Sequence, residues 1–155
     1  MSDGESSLII TIYKDKEYRS GWQTQAIFSL SLHPRDLPLL KKIQAFFGVG
    51  TIKVNKSQNT VMYCVADQKQ LMNVIIPHFD KYPLLTKKRA DFILFKSIVK
   101  LILNKEHLTT EGLNKIISIR ASMNYGLSKT QIEFFPNIMP VDRPKIETTE
   151  IPDPN

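Results

Sequence analysis

The chain has 155 residues, 42% of them hydrophobic and 23% charged, with a formal net charge of +6; these values describe one soluble globular domain rather than a disordered segment. Its single cysteine, Cys64, excludes an internal disulfide framework and any cysteine-cluster metal site, and no apolar run reaches membrane-spanning length. The charge is uneven: after Phe135 four acids (Asp142, Glu147, Glu150, Asp153) face two bases (Arg143, Lys145), which leaves +8 on residues 1–135. A basic body of this kind favours nucleic acid or an anionic surface as partner.

Residues 7–13 alternate weakly, with Leu8, Ile10 and Ile12 on one face and Ser7, Ile9, Thr11 and Tyr13 on the other. The polar stretch 14–21 reads as a hairpin connection. From Trp22 to Leu32 the alternation is clearer: Phe28, Leu30 and Leu32 take one face, and Gln23, Gln25, Ser29 and Ser31 the other. This is a half-buried antiparallel strand whose second face is polar and neutral.

His33-Pro34-Arg35-Asp36 starts a helix that carries Leu37, Leu40, Ile43, Phe46 and Phe47 inward and stops at Gly48. Two further strands, Val49 to Val54 and Thr60 to Val65, flank the turn residues Asn55 to Asn59. A helix is predicted over Gln68 to Phe79, then the longest helix from about Lys87 to Asn104. Its wide apolar face (Phe92, Phe95, Val99 and Ile102, broadened by Leu94, Ile98 and Leu101) predicts a central, well-covered position. Thr109 is the expected N-cap of a last helix with Leu113, Ile116, Ile117 and Ala121. Five of the nine prolines lie in the final 20 residues, so residues 136–155 read as an extended linker or tail behind a domain of residues 1–135. Two hairpins backed by helices make an α+β fold with one open sheet face.

That face would present Thr11, Tyr13, Gln23, Gln25, Ser29 and Ser31, with Lys53, Asn55, Met62 and Cys64 from the second hairpin. It reads either as an ordinary solvated surface or as a surface that reads DNA, since amides and hydroxyls match base edges and lysine matches phosphate or guanine. His33, His78 and His107 lack metal-ligand spacing, and the six scattered glycines form no phosphate-binding loop. Asp3 and Glu5, around Gly4, are the acidic pair directly before the first strand.

Ser2-Asp3-Gly4-Glu5-Ser6-Ser7-Leu8, followed by the ββαββα order, resembles the end of the motif of LAGLIDADG homing endonucleases. Several other stretches resemble the two-motif fungal mitochondrial branch of that family: Phe28–His33, Phe79–Thr86, Asn104–Thr109, Asn124–Leu127 and Ile151–Asn155. The resemblance implies an αββαββα half-domain with a saddle-shaped sheet in the major groove and a motif helix packed on a second half. It implies Glu5 as the catalytic, Mg²⁺-binding acid, with the Gly4 carbonyl nearby, and Lys88 as a basic residue near the scissile phosphate. The base readers would be Ile9, Thr11, Tyr13, Gln23, Gln25, Ile27, Ser29, Ser31, Lys53, Asn55, Met62 and Cys64. A polar site residue of the family, often glutamine, aligns with Ser29. The motif's first half does not precede Met1, so the first motif helix is expected to be truncated. The chain reads as the N-terminal half of a two-motif protein with weak or no cleavage alone.

The partners so implied are double-stranded DNA and a second half, in the same longer chain or in trans, with intron RNA a further candidate and no membrane. The implied location is mitochondrial and organelle-encoded, without a transit peptide. An intron RNA maturase, a non-catalytic DNA-binding remnant, and a basic domain for protein interactions are the alternatives at this point.

Overall fold

The computed structural model describes residues 6–18, 21–84, 86–123 and 126–144. Four antiparallel strands, β1 (Ser6–Lys14), β2 (Trp22–Leu32), β3 (Thr51–Asn55) and β4 (Thr60–Val65), form one sheet in the order β1-β2-β4-β3. The first hairpin pairs Ser6 with Leu30 through Lys14 with Trp22. Its connection is organised by Asp15, whose carboxylate and carbonyl accept from the N–H groups of Glu17 (3.0 Å) and Tyr18 (3.1 Å). Such local bonds are the usual reason for aspartate in a turn. Strand β2 also pairs with β4, but only from Phe28↔Val65 to Leu32↔Val61. Beyond that point the strands part, and Gln68 holds the gap: its Nε2 donates to the carbonyls of Ala26 (2.9 Å) and Ala66 (2.8 Å).

Helix α1 (Leu37–Phe47) ends at Gly48, whose φ of 72° is the left-handed conformation that glycine adopts without strain. Residues 68–81 form one helical stretch: α2 (Gln68–Gln70), a π-turn (Leu71–Ile75) and α3 (Ile76–Lys81). Asp67 starts it by accepting from the Gln70 N–H at 3.0 Å. Helix α4 (Thr86–Leu103) is the central one. Ala90, Phe92, Leu94, Phe95, Ile98, Val99 and Ile102 are all buried, and α4 packs on β1, β2 and α5 (Thr110–Ala121). Thr109 caps α5, its Oγ1 accepting from the Gly112 N–H at 2.9 Å.

The core lies between the helices and one face of the sheet. Ile10, Ile12, Ala26, Phe28, Leu30, Val61, Tyr63 and Val65 are buried there, which is the parity that alternation in the sequence selects. Phe46 is a correction: it is 72% exposed. At about 100° per residue, Phe47 lies within about 20° of Leu40 on the helix surface, whereas Phe46 lies about 120° away.

The short helix α6 (Lys129–Phe134) was not expected. It is started by a capping box in which Ser128 and Gln131 exchange side-chain and backbone bonds. Phe134 and Phe135 then pack on Trp22, with ring centroids 5.2 and 4.9 Å away. The proline-rich segment that follows is extended, but it is docked. Ile138 packs on the core, the Val141 N–H donates to the Ser118 carbonyl (3.2 Å), and Ser122 Oγ donates to the Val141 carbonyl. Arg143 closes the strap, with Nη1 2.6 Å from Asp91 Oδ1 and 2.8 Å from the Ser122 carbonyl.

Candidate nucleic-acid interface

The parity opposite the core gives the sheet its second face, and the register fixes its rows. From the first hairpin inward these are Tyr13 with Gln23, Thr11 with Gln25, and Ile9 with Ile27. A four-strand row follows, Ser7–Ser29–Cys64–Thr51, and then Ser31–Met62–Lys53. Asn55 with Thr60 ends the face at the second hairpin. The structure thus brings all twelve expected strand residues onto one surface. Ser7 and Thr51 share it and are exposed; Thr51 was not singled out in the sequence, although it stands two residues before Lys53 and so has the same parity.

The side chains differ in what they offer. Tyr13 and Lys53 are exposed, while Gln23, Ser31, Met62 and the Cys64 thiol are half-buried. Thr11 Oγ1 donates to the Gln25 carbonyl at 3.4 Å, and Gln25 Nε2 donates to the Ala66 carbonyl at 3.5 Å. Asn55 Oδ1 accepts from Ser57 Oγ (2.7 Å) and from the Gln58 N–H (3.2 Å), so part of its capacity organises the hairpin turn. Ser29 departs from expectation: it is on the outward parity but only 3% exposed. It stands on a strand flanked on both sides, opposite Ser7 and Cys64. Its hydroxyl is therefore not presented to a base edge in this structure.

Electrostatics favours a polyanion on this face. None of the four strands contains an aspartate or glutamate, while β1 and β3 contribute Lys14 and Lys53. Lys14 reaches towards the helical side, its Nζ 4.7 Å from the centre of the Phe134 ring. Lys56 extends the positive charge into the exposed turn between β3 and β4.

Of the expected reaction groups, Glu5 and Gly4 lie outside the described residues. Lys88 is half-buried in the first turn of α4. Among the described residues no three His, Cys, Asp or Glu side chains come together to hold a metal ion. His33 is a turn residue whose Nδ1 accepts from the Arg35 N–H at 3.1 Å. His78 sits among the rings of Phe46, Phe47, Phe79 and Tyr82, where burial pushes its pKa down.

A family model described as LAGLIDADG endonuclease matches residues 1–99. The chain belongs to the LAGLIDADG endonuclease family. It is 48% identical over 147 residues to "Probable intron-encoded endonuclease 2" of Neurospora crassa, an alignment covering 94% of this chain and 32% of that protein. Its fold matches the LAGLIDADG homing endonuclease I-SmaMI bound to cleaved DNA, with a TM-score of 0.93 and 42% identity over 98% of this chain and 51% of that one. The homing endonuclease I-LtrWI bound to target DNA matches with a TM-score of 0.92 and 39% identity over 97% of this chain and 51% of that one. The LAGLIDADG chain thus spans about a third of that curated relative and about half of each solved structure. Its α+β architecture, four antiparallel strands backed by helices, is that of the family. Among the described residues no helix is long and apolar enough to cross a membrane.

Proposed function

We propose that this chain is one DNA-reading half of a site-specific, double-strand DNA endonuclease of the intron-homing kind. The observation that carries the reading is the acid-free open face, whose outward residues stand in register over four strands. The match to I-SmaMI, in a structure described as bound to cleaved DNA, supports it. In this reading the sheet lies in the major groove. Exposed and half-buried side chains of the rows from Tyr13–Gln23 to Asn55–Thr60 meet base edges, Ser29 apart, while Lys53 and Lys56 meet phosphates.

Hydrolysis is assigned to Glu5, directly before β1. A carboxylate with the Gly4 carbonyl is a set of hard oxygen donors suited to Mg²⁺, and a solved structure has I-SmaMI bound to uncleaved DNA target in the presence of calcium ions. When bound, such an ion supplies an activated water and stabilises the leaving oxygen. Lys88 would hold the scissile phosphate. One half supplies one such acid, so cutting both strands calls for a second half, in the same longer chain or in trans. The fungal, intron-encoded relatives make a mitochondrial location the corresponding assignment.

Two measurements test this. The purified chain should bind duplex DNA with an affinity that falls steeply with salt, because phosphate contacts release counterions. With Mg²⁺ it should nick or linearise a plasmid carrying its site weakly or not at all, and a longer chain with a second half should cut it. Glu5→Gln in that longer chain should abolish cutting and leave binding intact. Binding that ignores salt, or cutting that survives Glu5→Gln, would overturn the assignment.

A further inference from the structure

The geometry points to the Ile9–Ile27 pair as the reader of a pyrimidine C5-methyl group, thymine's in unmodified DNA, at one step of the bound duplex. This rests on the duplex-reading role proposed above and adds what one row of the face selects. The two isoleucines are directly opposite in the register. Ile9 is 38% exposed and Ile27 is half-buried. Ile27 lies one position past Phe28↔Val65, the last β2–β4 pair, so β4 supplies it no partner in the sheet. The adjoining rows are polar, Thr11 with Gln25 on one side and Ser7 with Ser29 on the other. The pair is thus an apolar row set between polar ones; the face's other apolar side chain, Met62, stands in a separate row with Ser31 and Lys53.

Such a row discriminates by what it lacks. An amino group or carbonyl pressed against it gives up a hydrogen bond to water and receives none in return. The C5-methyl of thymine, which projects into the major groove, makes a favourable apolar contact there. Successive rows on one face are two residues apart, about 6.8 Å, or about two base-pair rises, so the contact is confined to one or two adjacent base pairs. Burying one methyl-sized group changes an equilibrium constant about fourfold.

The alternative is that the pair only stabilises the hairpin, as β-branched cross-strand neighbours do. Removing methyl groups from the DNA separates the two. Duplexes selected by the chain from a library with a randomised centre are resynthesised with each thymine replaced in turn by deoxyuridine, and affinities are read by fluorescence anisotropy. The expected result is a loss of about fourfold at one position, or at two adjacent positions. That loss should vanish in the Ile9→Ser/Ile27→Ser double variant, whose side chains offer no methyl group. Ile9→Val, a milder change should the double variant fold poorly, should shrink the loss at the same position. Uracil tolerated everywhere, or a loss unchanged in the variants, would overturn the inference while duplex binding stands. No salt-dependent binding to any duplex would overturn the parent reading, and this one with it.

Discussion

Replacing Gly112 with alanine sets helix propensity against packing, and the two predict opposite signs. Gly112 lies in the first turn of α5, where alanine is favoured over glycine by about 1 kcal/mol on propensity alone. A Cβ built there, however, would stand 1.8 Å from the carbonyl oxygen of Glu106 and 2.5 Å from its carbonyl carbon. That carbonyl cannot move away cheaply, because Thr109 donates to it twice, from its N–H at 3.1 Å and from Oγ1 at 2.9 Å. Thr109 Oγ1 also accepts from the Gly112 N–H, so separating the turn from the helix loosens the cap as well. Overpacking of this kind costs about 1–3 kcal/mol or more. With the strained cap included, the net loss should be about 3 kcal/mol, a fall in Tm of about 6–12 °C for a chain of this size. Thermal and urea unfolding followed by circular dichroism measure it. Gly48→Ala is the control: a Cβ there meets nothing within 4 Å, and only its φ of +72° opposes the change, so its cost should stay near 1–2 kcal/mol. An unchanged or raised Tm for Gly112→Ala would refute the packing argument.

Arg143→Ala should release the strap: Asp91, 9% exposed, loses a donor at 2.6 Å. Because the guanidinium is partly exposed, the expected cost is about 1–2 kcal/mol rather than that of a fully buried pair; the urea midpoint should fall and proteolysis within residues 136–144 should quicken. The Tyr63 hydroxyl donates to the Val49 carbonyl at 2.5 Å, and burial pushes its pKa up to about 12 from 10. The folded state therefore keeps a proton that the unfolded state loses, and stability should drop as pH rises from 10 towards 12. Tyr63→Phe should flatten that alkaline slope in urea titrations, while costing about 1–2 kcal/mol at neutral pH through the carbonyl left without its donor. Lys53→Ala should weaken duplex binding similarly for all sequences and reduce the salt slope by about one, as measured by anisotropy over a salt series.

What could be read in the sequence was local in origin. The alternation of β2, the Leu40–Ile43 stripe of α1, the Thr109 cap and the wide apolar face of α4 each depend on spacing within a dozen residues, and the structure has all four. What escaped depends on tertiary neighbours or on very short elements. The burial of Ser29 follows from strands on both sides of β2, and the docking of residues 138–143 depends in part on an ion pair spanning 52 positions. Helix α6 is too short to show a period, although its Ser128–Gln131 box was a usable signal. The π-turn at Leu71–Ile75 leaves no mark on the apolar spacing, since Leu71 and Ile75 are buried as an ordinary helix would have them. For the site, parity alone gathered the outward residues, but a role for Glu5 came from resemblance, because composition cannot say which carboxylate faces a phosphodiester.

The arrangement of the sheet also explains how such a half could change its target without losing its fold. Side chains alternate with a period of two, so outward residues in the middle of β1, β2 and β4 are held between two that face the core. Ile10 and Ile12 flank Thr11, Ala26 and Phe28 flank Ile27, and Val61 and Tyr63 flank Met62. The buried set fixes where the outward set stands and touches nothing that binds outside. Substitution on the outward parity therefore changes the open face at little cost to the core, with Ser29 the exception because it is itself enclosed. A one-residue insertion within β2 has the opposite effect: it exchanges the two sets along the rest of the strand, exposing Phe28 and Leu30 and burying amides without partners. Point substitutions outside and a conserved register inside are thus separable by the geometry of the pleat. On the duplex-reading role proposed above, that separation would let a single scaffold serve many DNA sequences.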